Sequence, residues 1–304
     1  MDNNLNVTYL TLDGYVEVHR YRYLYFVILF TAYILIICSN STIVYLIVIH
    51  KNLHEPMYIF IAALLINSVL LSTAAYPKIL IDVLSEKQII SYPACLFQWL
   101  IYYSLGCSEF LLLAAMSYDR YVSICKPLQY PTIMTKRTVC ILLVLAWILP
   151  PCQISGAVTL SADAKLCKFS FKGIICSSAV LKLHCALSRL LYVYGLVVLV
   201  NFIFLPVLFV LFTYIRIFII TFRRGREVRR KAAQTCLPHL IVLINYSCLL
   251  GFDLLIARLE TDFPPIVRLI MALEVILYNP VFNPIIYGLK MKEIYKHLRK
   301  LFCL

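Results

Sequence analysis

The sequence predicts an all-α membrane protein: a seven-transmembrane helix bundle followed by a short amphipathic eighth helix. Three observations support this fold class. Of the 304 residues, 62% are apolar or aromatic, only 14% carry a formal charge, and the uncharged residues are collected in long runs. Soluble domains carry about 25% charged residues, and a chain of this length cannot bury so much apolar surface in a core of its own. The runs must therefore face lipid.

Each predicted helix is a run long enough to cross a membrane, because about 20 residues rising ~1.5 Å each span a hydrocarbon core about 30 Å thick. In chain order the seven runs are Leu24–Ile49, Met57–Pro77, Ile89–Ile124, Thr138–Ala162, Leu190–Ile215, Ala232–Phe252 and Ile266–Leu289. Acidic residues, Lys and Arg occur only in the third and the seventh of them. The remaining five are confident spans on this criterion alone.

The distribution of Lys and Arg predicts the orientation, because cytoplasmic loops are enriched in both. With a cytoplasmic C-terminus, the inner side holds 17 basic and 4 acidic residues, whereas the rest of the chain holds 11 of each. Residues 1–23 are then an extracellular N-terminus, 24–289 the bundle, and 290–304 a cytoplasmic amphipathic helix and tail. The Asn-Val-Thr triplet at Asn6 predicts a glycosylation site on the outer side.

The cytoplasmic segments carry two further features. Ile294, Leu298 and Leu301 share one face of a basic segment, which predicts the amphipathic eighth helix. The basic loop 223–231 binds anionic lipid or a signalling partner, or else it only reflects the enrichment of Lys and Arg in cytoplasmic loops. Cys303 is either palmitoylated or an unmodified tail cysteine.

Several functions of membrane proteins are excluded by the residues present. A retinal-binding pump needs a Lys in the seventh helix for its Schiff base, and no Lys lies between Arg268 and Lys290. A metalloprotease would carry a pattern such as H-E-x-x-H, and a secondary transporter would show repeated halves. Neither pattern occurs in the sequence. We therefore predict that the protein is not an enzyme and has no cofactor or metal.

The most informative motif ends the third predicted helix, where the chain reads Met-Ser-Tyr-Asp-Arg-Tyr with Asp119, Arg120 and Tyr121 as its last three residues. An Arg beside an Asp can pair with it at rest and can extend its long side chain into a cytoplasmic cleft when the helices separate. The alternative is that both charges simply mark the membrane interface.

This motif resembles the odorant-receptor form of the Asp-Arg-Tyr signature of rhodopsin-like G-protein-coupled receptors, and four further strings agree with that family in order and position. They are Leu53–Tyr58 (LHEPMY), Thr213–Arg216 (TYIR), Lys231–Leu240 (KAAQTCLPHL) and Asn283–Tyr287 (NPIIY). The resemblance covers residues 40–301. Glu55 in the first loop is more similar to fish odorant receptors than to mammalian ones.

The resemblance implies a receptor in the plasma membrane of sensory cilia that binds a small organic odorant. It also implies a heterotrimeric G protein of the stimulatory, olfactory type as partner, and rising cyclic AMP as the output. A rhodopsin-like receptor for a peptide or a lipid is the alternative. Membrane lipid is expected as a further partner, whereas nucleic acid is not, because the net charge of +13 is explained by topology.

Four cysteines fall in the predicted outer segments, where disulfides can form: Cys95, Cys167, Cys176 and Cys185. Four cysteines allow three pairings, and the sequence alone does not choose among them. The resemblance implies that Cys95 bonds to Cys176 and Cys167 to Cys185, which would hold the loop before the fifth helix over the bundle.

The outer halves of the third, fifth, sixth and seventh helices are predicted to line the ligand pocket, since sites in helical bundles lie between helices and are mainly apolar. By the resemblance, the lining residues are Tyr102, Tyr103, Gly106, Cys107, Val198, Asn201, Phe202, Ser247, Leu250, Gly251, Leu254, Leu273 and Ile276. Tyr102 stands where amine receptors carry a carboxylate, so an uncharged odorant is expected. The alternative is that some of these side chains only pack the helices together.

The resemblance also implies a set of residues that couple ligand binding to the G protein. They are Asp119, Arg120, Tyr121, Tyr214, His239, Asn283, Pro284 and Tyr287. Pro284 removes a backbone hydrogen bond from the seventh helix, and His239 either holds the inactive state or is a plain buried histidine. Glu109 is either a site residue or a neutral structural group. Ser68 stands where, by the resemblance, many related receptors carry an acid that helps to bind sodium. The sequence therefore does not decide whether a sodium site is present.

Overall fold

The computed structural model describes residues 8–186, 188–222, 236–237, 239–248, 250–251 and 264–301. Its helices are α1 (Val18–Ile49), α2 (Pro56–Leu84), α3 (Tyr92–Cys125), α4 (Lys136–Ala162), α5 (Arg189–Phe222), α6 (His239–Cys248), α7 (Pro265–Lys290) and α8 (Lys292–Leu301). Three 3-10 segments (Lys51–Leu53, Pro127–Gln129 and Ser178–Leu183) and one helical turn (Tyr130–Ile133) lie in the loops. Over these described ranges, α1 to α5 and α7 are long and apolar enough to cross a membrane, and α6 is a shorter apolar helix.

Several helices extend beyond the apolar runs that predicted them, whereas α3 begins only at Tyr92 because Ile89–Ser91, the start of its run, form a strand. Helix α1 begins at Val18 rather than Leu24, and α2 continues through Pro77 to Leu84. In the added turns of α2, Lys78 and Asp82 form an ion pair at the i,i+4 spacing that stabilises helices. The apolar run therefore marks only the part of a helix that crosses lipid, whereas the helix itself continues into its polar ends.

A small sheet, which the sequence analysis did not predict, covers the outer end of the bundle. Strand β1 (Tyr9–Leu12) lies between β2 (Ile89–Ser91) and β3 (Ser170–Phe171), antiparallel to β2 and parallel to β3. Leu10 and Leu12 point into the protein and are buried, while the residues that alternate with them are exposed. The segment predicted as a polar N-terminus is thus partly a structural element of the outer face.

Helix α3 lies at the centre of the bundle. In its most apolar stretch 72% of the residues are buried, against 17% in α5, which faces outward over most of its surface. Helix α3 contacts α2, α4 and α5, and α1 and α2 pack against α7. A residue on α3 can therefore contact several other helices, which makes this helix the natural carrier of a site between them.

Helix α7 is held to α1 at its proline. Because Pro284 has no N–H, the carbonyl oxygen of Pro280 one turn earlier lacks its helical partner. The buried Asn40 of α1 donates a hydrogen bond from Nδ2 to that oxygen at 2.8 Å. A side chain from α1 thus replaces the missing backbone bond of α7 and fixes the two helices together.

Candidate ligand pocket and cytoplasmic switch

Residues 163–186, the roof loop, close the outer end of the bundle. Both disulfides that the resemblance implies are present: Cys95–Cys176, with Cα atoms 5.4 Å apart, and Cys167–Cys185, with Cα atoms 4.8 Å apart. Beside the first bond, Gln98 Oε1 accepts a hydrogen bond from the backbone N–H of Cys176 at 3.0 Å. The first disulfide and Gln98 attach the roof loop to the outer turns of α3.

A buried histidine attaches the roof loop to two further helix ends. At the start of α3, Tyr92 Oη donates a hydrogen bond to the carbonyl oxygen of Ser161 in α4 at 2.7 Å, and it lies 3.0 Å from His184 Nε2. Because the Tyr92 hydroxyl has a single proton, the donor of the second bond is the Nε2–H group of His184. Burial lowers the pKa of His184 below its ordinary value.

The predicted lining residues occupy three kinds of position. The buried ones are Tyr102, Tyr103, Gly106, Cys107, Phe202, Leu250 and Ile276. Those of intermediate exposure are Val198, Ser247, Gly251 and Leu273. Asn201 is exposed, and Leu254 lies outside the described residues. Most of the predicted set therefore lies on interior or flanking faces of the four helices.

Helix α5 is not a regular α-helix around Asn201. Residues Val200–Phe204 form a π-helical turn, which has more residues per turn than the α-helix. A regular helix would place Val198, Asn201 and Phe202 on one face. Instead, Phe202 is buried, whereas the exposed Asn201 donates a hydrogen bond to Gln153 Oε1 of α4 at 3.4 Å. The structure does not bring Asn201 to the interior lining.

Helices α3 and α6 approach each other closely at Gly106. A Cβ atom at Gly106 would lie 2.8 Å from Tyr246 Oη, so a larger residue would force this hydroxyl to move. Tyr246 is buried, and its ring packs against Phe110 with centroids 4.9 Å apart. The sequence analysis did not single out Tyr246, although it lies one helical turn before Leu250 on the same face of α6.

Space remains beside the next turn of α6. In the described part of the chain, no atom lies within 4 Å of the position that a Cβ atom would take on Gly251. One turn earlier, Ser247 Oγ is buried without a hydrogen-bond partner among the described residues. Unfilled space next to an unpaired hydroxyl group can accept a ligand that carries a hydrogen-bonding atom.

A buried polar cluster links α2, α3 and α7 below this space. Glu109 Oε1 accepts hydrogen bonds from Nδ2 of Asn279 at 3.1 Å and from Nδ2 of Asn283 at 3.3 Å. The same amide of Asn283 donates to Ser68 Oγ at 3.2 Å. All four side chains are buried. Two amides therefore face one carboxyl group here, and one of them also donates to the hydroxyl group of Ser68.

At the cytoplasmic end of α3, Asp119 accepts hydrogen bonds from two side chains. Arg120 donates from Nη2 to Asp119 Oδ2 at 2.8 Å, and Tyr130 donates from Oη to Asp119 Oδ1 at 2.8 Å. Burial and the adjacent Asp119 carboxylate raise the pKa of Tyr130. Tyr130 follows the Asp-Arg-Tyr motif along the chain and was not among the predicted switch residues, because its contact with Asp119 is visible only in the fold.

Apart from Tyr121 on α3, the other predicted switch residues lie on α5, α6 and α7. His239 and Tyr287 are buried, with ring centroids 5.5 Å apart in an edge-to-face arrangement. Both His239 ring nitrogens and the hydroxyl groups of Tyr287 and Tyr214 have no hydrogen-bond partner among the residues that the structure describes. Because unpaired buried polar groups are costly, a movement that allows them to pair would gain free energy. Tyr121 is half-buried, and Pro284 is buried.

The fold is that of the rhodopsin-like receptors. The crystal structure of squid rhodopsin superposes with a TM-score of 0.73 at 18% sequence identity, over 94% of this chain and 86% of that chain. This similarity, with the helices described above, confirms the predicted seven-transmembrane fold class.

Sequence comparison then identifies the family. The sequence model of the olfactory receptor family matches residues 29–304. Human olfactory receptor 11A1 is 32% identical over 99% of this chain and 96% of its own length, and human olfactory receptor 51E1 is 31% identical over 99% and 95%. Human olfactory receptor 10K1 is 33% identical over 94% and 92%. The chain belongs to the olfactory receptor family, whose members are multi-pass membrane receptors for signalling rather than enzymes. The similarity to the fish branch stays a prediction.

Proposed function

We propose that this receptor binds a small, uncharged organic odorant between the outer halves of α3, α5, α6 and α7. Binding favours a state in which the inner end of α6 moves away from Arg120, and a stimulatory, olfactory-type G protein then enters the cleft and raises cyclic AMP. The observation that carries the proposal concerns the described residues beneath the disulfide-fixed roof: none of their atoms lies within 4 Å of a Cβ position on Gly251, and none of them pairs with the Ser247 hydroxyl. Family membership supports both the odorant and the G protein.

The lining supports an uncharged ligand. The proposed contacts are Tyr102, Tyr103, Gly106, Cys107, Val198, Phe202, Tyr246, Ser247, Leu250, Gly251, Leu254, Leu273 and Ile276. They supply apolar and aromatic surface with a few hydroxyl groups, and none of them carries a charge. A lining of this composition favours an aldehyde, ketone, alcohol or hydrocarbon over an amine.

The roof supports a small ligand over a peptide. The roof loop is fixed by two disulfides and is joined to β1 through β3, so the outer end of the bundle is covered. A peptide would need a permanently open entrance to the pocket, whereas a small apolar molecule needs only a brief opening of the roof loop.

The proposed switch begins at Asp119, Arg120 and Tyr121 and continues through Tyr214, His239, Asn283, Pro284 and Tyr287. In the described arrangement Asp119 holds Arg120. A G-protein helix needs the Arg120 side chain to be available in the cleft, so releasing it from Asp119 is the proposed step of activation.

For location, we propose the plasma membrane of sensory cilia, with residues 1–23 outside, 24–289 forming the bundle and 290–304 inside. Disulfides form in oxidising compartments, so the face that carries Cys95–Cys176 and β1 fits the outer side, in agreement with the charge distribution. Asn6, the proposed glycosylation site, and Cys303 lie outside the described residues.

The deciding experiment is a screen of chemically diverse odorants on cells that express the receptor with an N-terminal epitope tag, with cyclic AMP as readout. We expect at least one small uncharged odorant to raise cyclic AMP and the tag to be reachable on intact cells. Responses only to peptides or lipids, or a tag reachable only after permeabilisation, would contradict the proposal.

A further inference from the structure

The hydroxyl group of Tyr103, a predicted pocket residue, is bonded to the roof loop. Tyr103 Oη donates a hydrogen bond to Ser178 Oγ at 3.0 Å and accepts one from the backbone N–H of Ser178 at 3.2 Å. One residue of the loop thus satisfies the single donor and one acceptor site of this hydroxyl group. The two bonds fix both the backbone and the side chain of Ser178 relative to α3.

The ring of Tyr103 is held in place for this contact. It packs edge-to-face against Tyr102, with centroids 5.3 Å apart, and against Trp99, with centroids 6.5 Å apart. Its side chain is 5% exposed. Edge-to-face pairs of this kind add to the free energy of burial, so the hydroxyl group is aimed at the loop before any ligand arrives.

Ser178 is the first residue of the 3-10 segment Ser178–Leu183, whose Val180 and Leu183 are buried. The segment begins two residues after Cys176, which is already bonded to α3 through Cys95 and Gln98. The contact with Tyr103 therefore extends the attachment of the roof loop from the first turn of α3 to the level of the pocket. Without it, the segment would keep its disulfide but lose its lower contact with α3.

We propose that Tyr103 is a positioning residue that holds Ser178–Leu183 as the upper wall of the pocket, so that its hydroxyl group sets how long an odorant stays bound rather than which polar group the odorant carries. The proposal rests on the proposed function, because it needs an odorant beneath the roof. Opening the segment breaks both bonds in the native protein, and Tyr103→Phe removes both in advance. In Tyr103→Phe the open state of Ser178–Leu183 should therefore be about tenfold more populated than in the wild type, because opening no longer has to break these hydrogen bonds.

The first test needs no odorant. Hydrogen–deuterium exchange of backbone amides in residues 177–183 is measured on detergent-solubilised receptor for the wild type, Tyr103→Phe, Ser178→Ala and the double variant. We expect about tenfold faster exchange in Tyr103→Phe. The effect of Ser178→Ala should be smaller, because its backbone N–H still reaches Tyr103, and the double variant should match Tyr103→Phe. Exchange in Tyr103→Phe at the wild-type rate would overturn the proposal.

A matched control uses another serine in the same connection. Ser188, at the start of α5, is exposed and its side chain makes no capping hydrogen bond. Ser188→Ala removes the same atom as Ser178→Ala and should leave the exchange of 177–183 unchanged. Equal acceleration in both serine variants would show that any hydroxyl loss loosens the loop, which would also overturn the specific role of Ser178.

The second test compares straight-chain aldehydes, ketones, alcohols and alkenes of matched length. After washout, the cyclic AMP response of Tyr103→Phe should decay about tenfold faster than that of the wild type for every class, at equal surface expression. A loss confined to the odorants with an oxygen atom would mean that Tyr103 bonds to the odorant itself and would overturn the proposal. If the wild type responds to none of the four odorant classes, both the proposed function and the effect of Tyr103 on odorant residence time are contradicted. The amide exchange rates would still show whether Tyr103 holds the roof loop in place.

Discussion

Single residues decide where the candidate site is closely packed and where it is open. At Gly106 the missing side chain leaves room for Tyr246, whereas at Gly251 no atom of the described residues fills the place of the missing side chain. The sequence could predict both glycines as lining residues, but it could not tell a filled position from an empty one. That difference depends on the side chain of a distant helix, so it becomes visible only in the fold.

The two glycines should respond oppositely to Ala. Gly106→Ala places a methyl group 2.8 Å from Tyr246 Oη, and such overpacking costs about 1–3 kcal/mol of stability. Gly251→Ala meets no such clash, and because Ala is the better helix former it should stabilise by about 0.4–1 kcal/mol. Thermal unfolding of the detergent-solubilised variants measures both effects. A Gly106→Ala variant as stable as the wild type would show that Tyr246 moves freely.

His184 should make the roof sensitive to acid. Burial lowers its pKa in the folded loop below the ordinary value of 6.5, so the unfolded loop binds a proton more readily than the folded one as the pH falls below about 6.5. The roof loop therefore has its full stability above that pH and becomes less stable as the pH decreases. Its stability levels off once the pH is below the lowered pKa of His184 in the folded loop. Amide exchange of the roof loop between neutral and mildly acidic pH tests this, and His184→Gln should remove most of the pH dependence. An equally steep dependence in the variant would assign it to another group.

At the scale of elements, the apolar runs predicted the membrane-crossing helices because lipid requires each of them to be long and apolar. Local composition alone shows whether a segment meets this requirement. Strand β1 was missed for the opposite reason. Its four residues carry little pattern of their own, and its partners lie far along the chain at Ile89–Ser91 and Ser170–Phe171. The π-helical turn Val200–Phe204 was missed because nothing in its composition distinguishes it from the regular helix around it, and Asn201 within this turn is exposed and bonded to Gln153.

Strand β1 should stabilise the outer face through its inward residues. Leu10 is fully buried, whereas the neighbouring Tyr9 is 57% exposed. Leu10→Ala removes buried apolar surface and should cost about 2–5 kcal/mol of local stability, while Tyr9→Ala, as the matched control, should cost little. Amide exchange in Ile89–Ser91 and Ser170–Phe171 reports on the sheet directly. Similar exchange in the two variants would indicate that β1 lies on the surface without contributing to it.

At the scale of the whole molecule, the proposed function requires that an odorant near the roof influence a cleft at the other end of the bundle. It can shift the equilibrium only through a difference in its affinity for the two states, and a hundredfold difference corresponds to about 2.7 kcal/mol. The bonds that hold the resting state must therefore be of comparable size. The Glu109 cluster joins α3 to α2 and α7 midway, and the bonds of Asp119 to Arg120 and Tyr130 close the cytoplasmic end.

Two substitutions at that end should have opposite effects on signalling. Tyr130→Phe removes one hydrogen bond to the buried Asp119 carboxylate, which costs the resting state about 1–3 kcal/mol. If Tyr130 and Arg120 both leave Asp119 in the activation step, that step requires less free energy in the variant, so cyclic AMP without odorant should rise. Arg120→Ala removes the group proposed to meet the G protein, and it should abolish the response to every odorant while leaving odorant binding largely intact.

The measurement is cyclic AMP in cells with matched surface levels of each variant, with odorant binding followed separately. Pocket changes such as Gly106→Leu provide the contrast, because filling volume near Tyr246 should change which odorants are active rather than silence all of them. A normal odorant response from Arg120→Ala would place the coupling elsewhere. If Tyr130→Phe instead lowered basal cyclic AMP, the bond between Tyr130 and Asp119 would stabilise the signalling state rather than the resting one. The described arrangement of the two residues would then be the one that the G protein recognises.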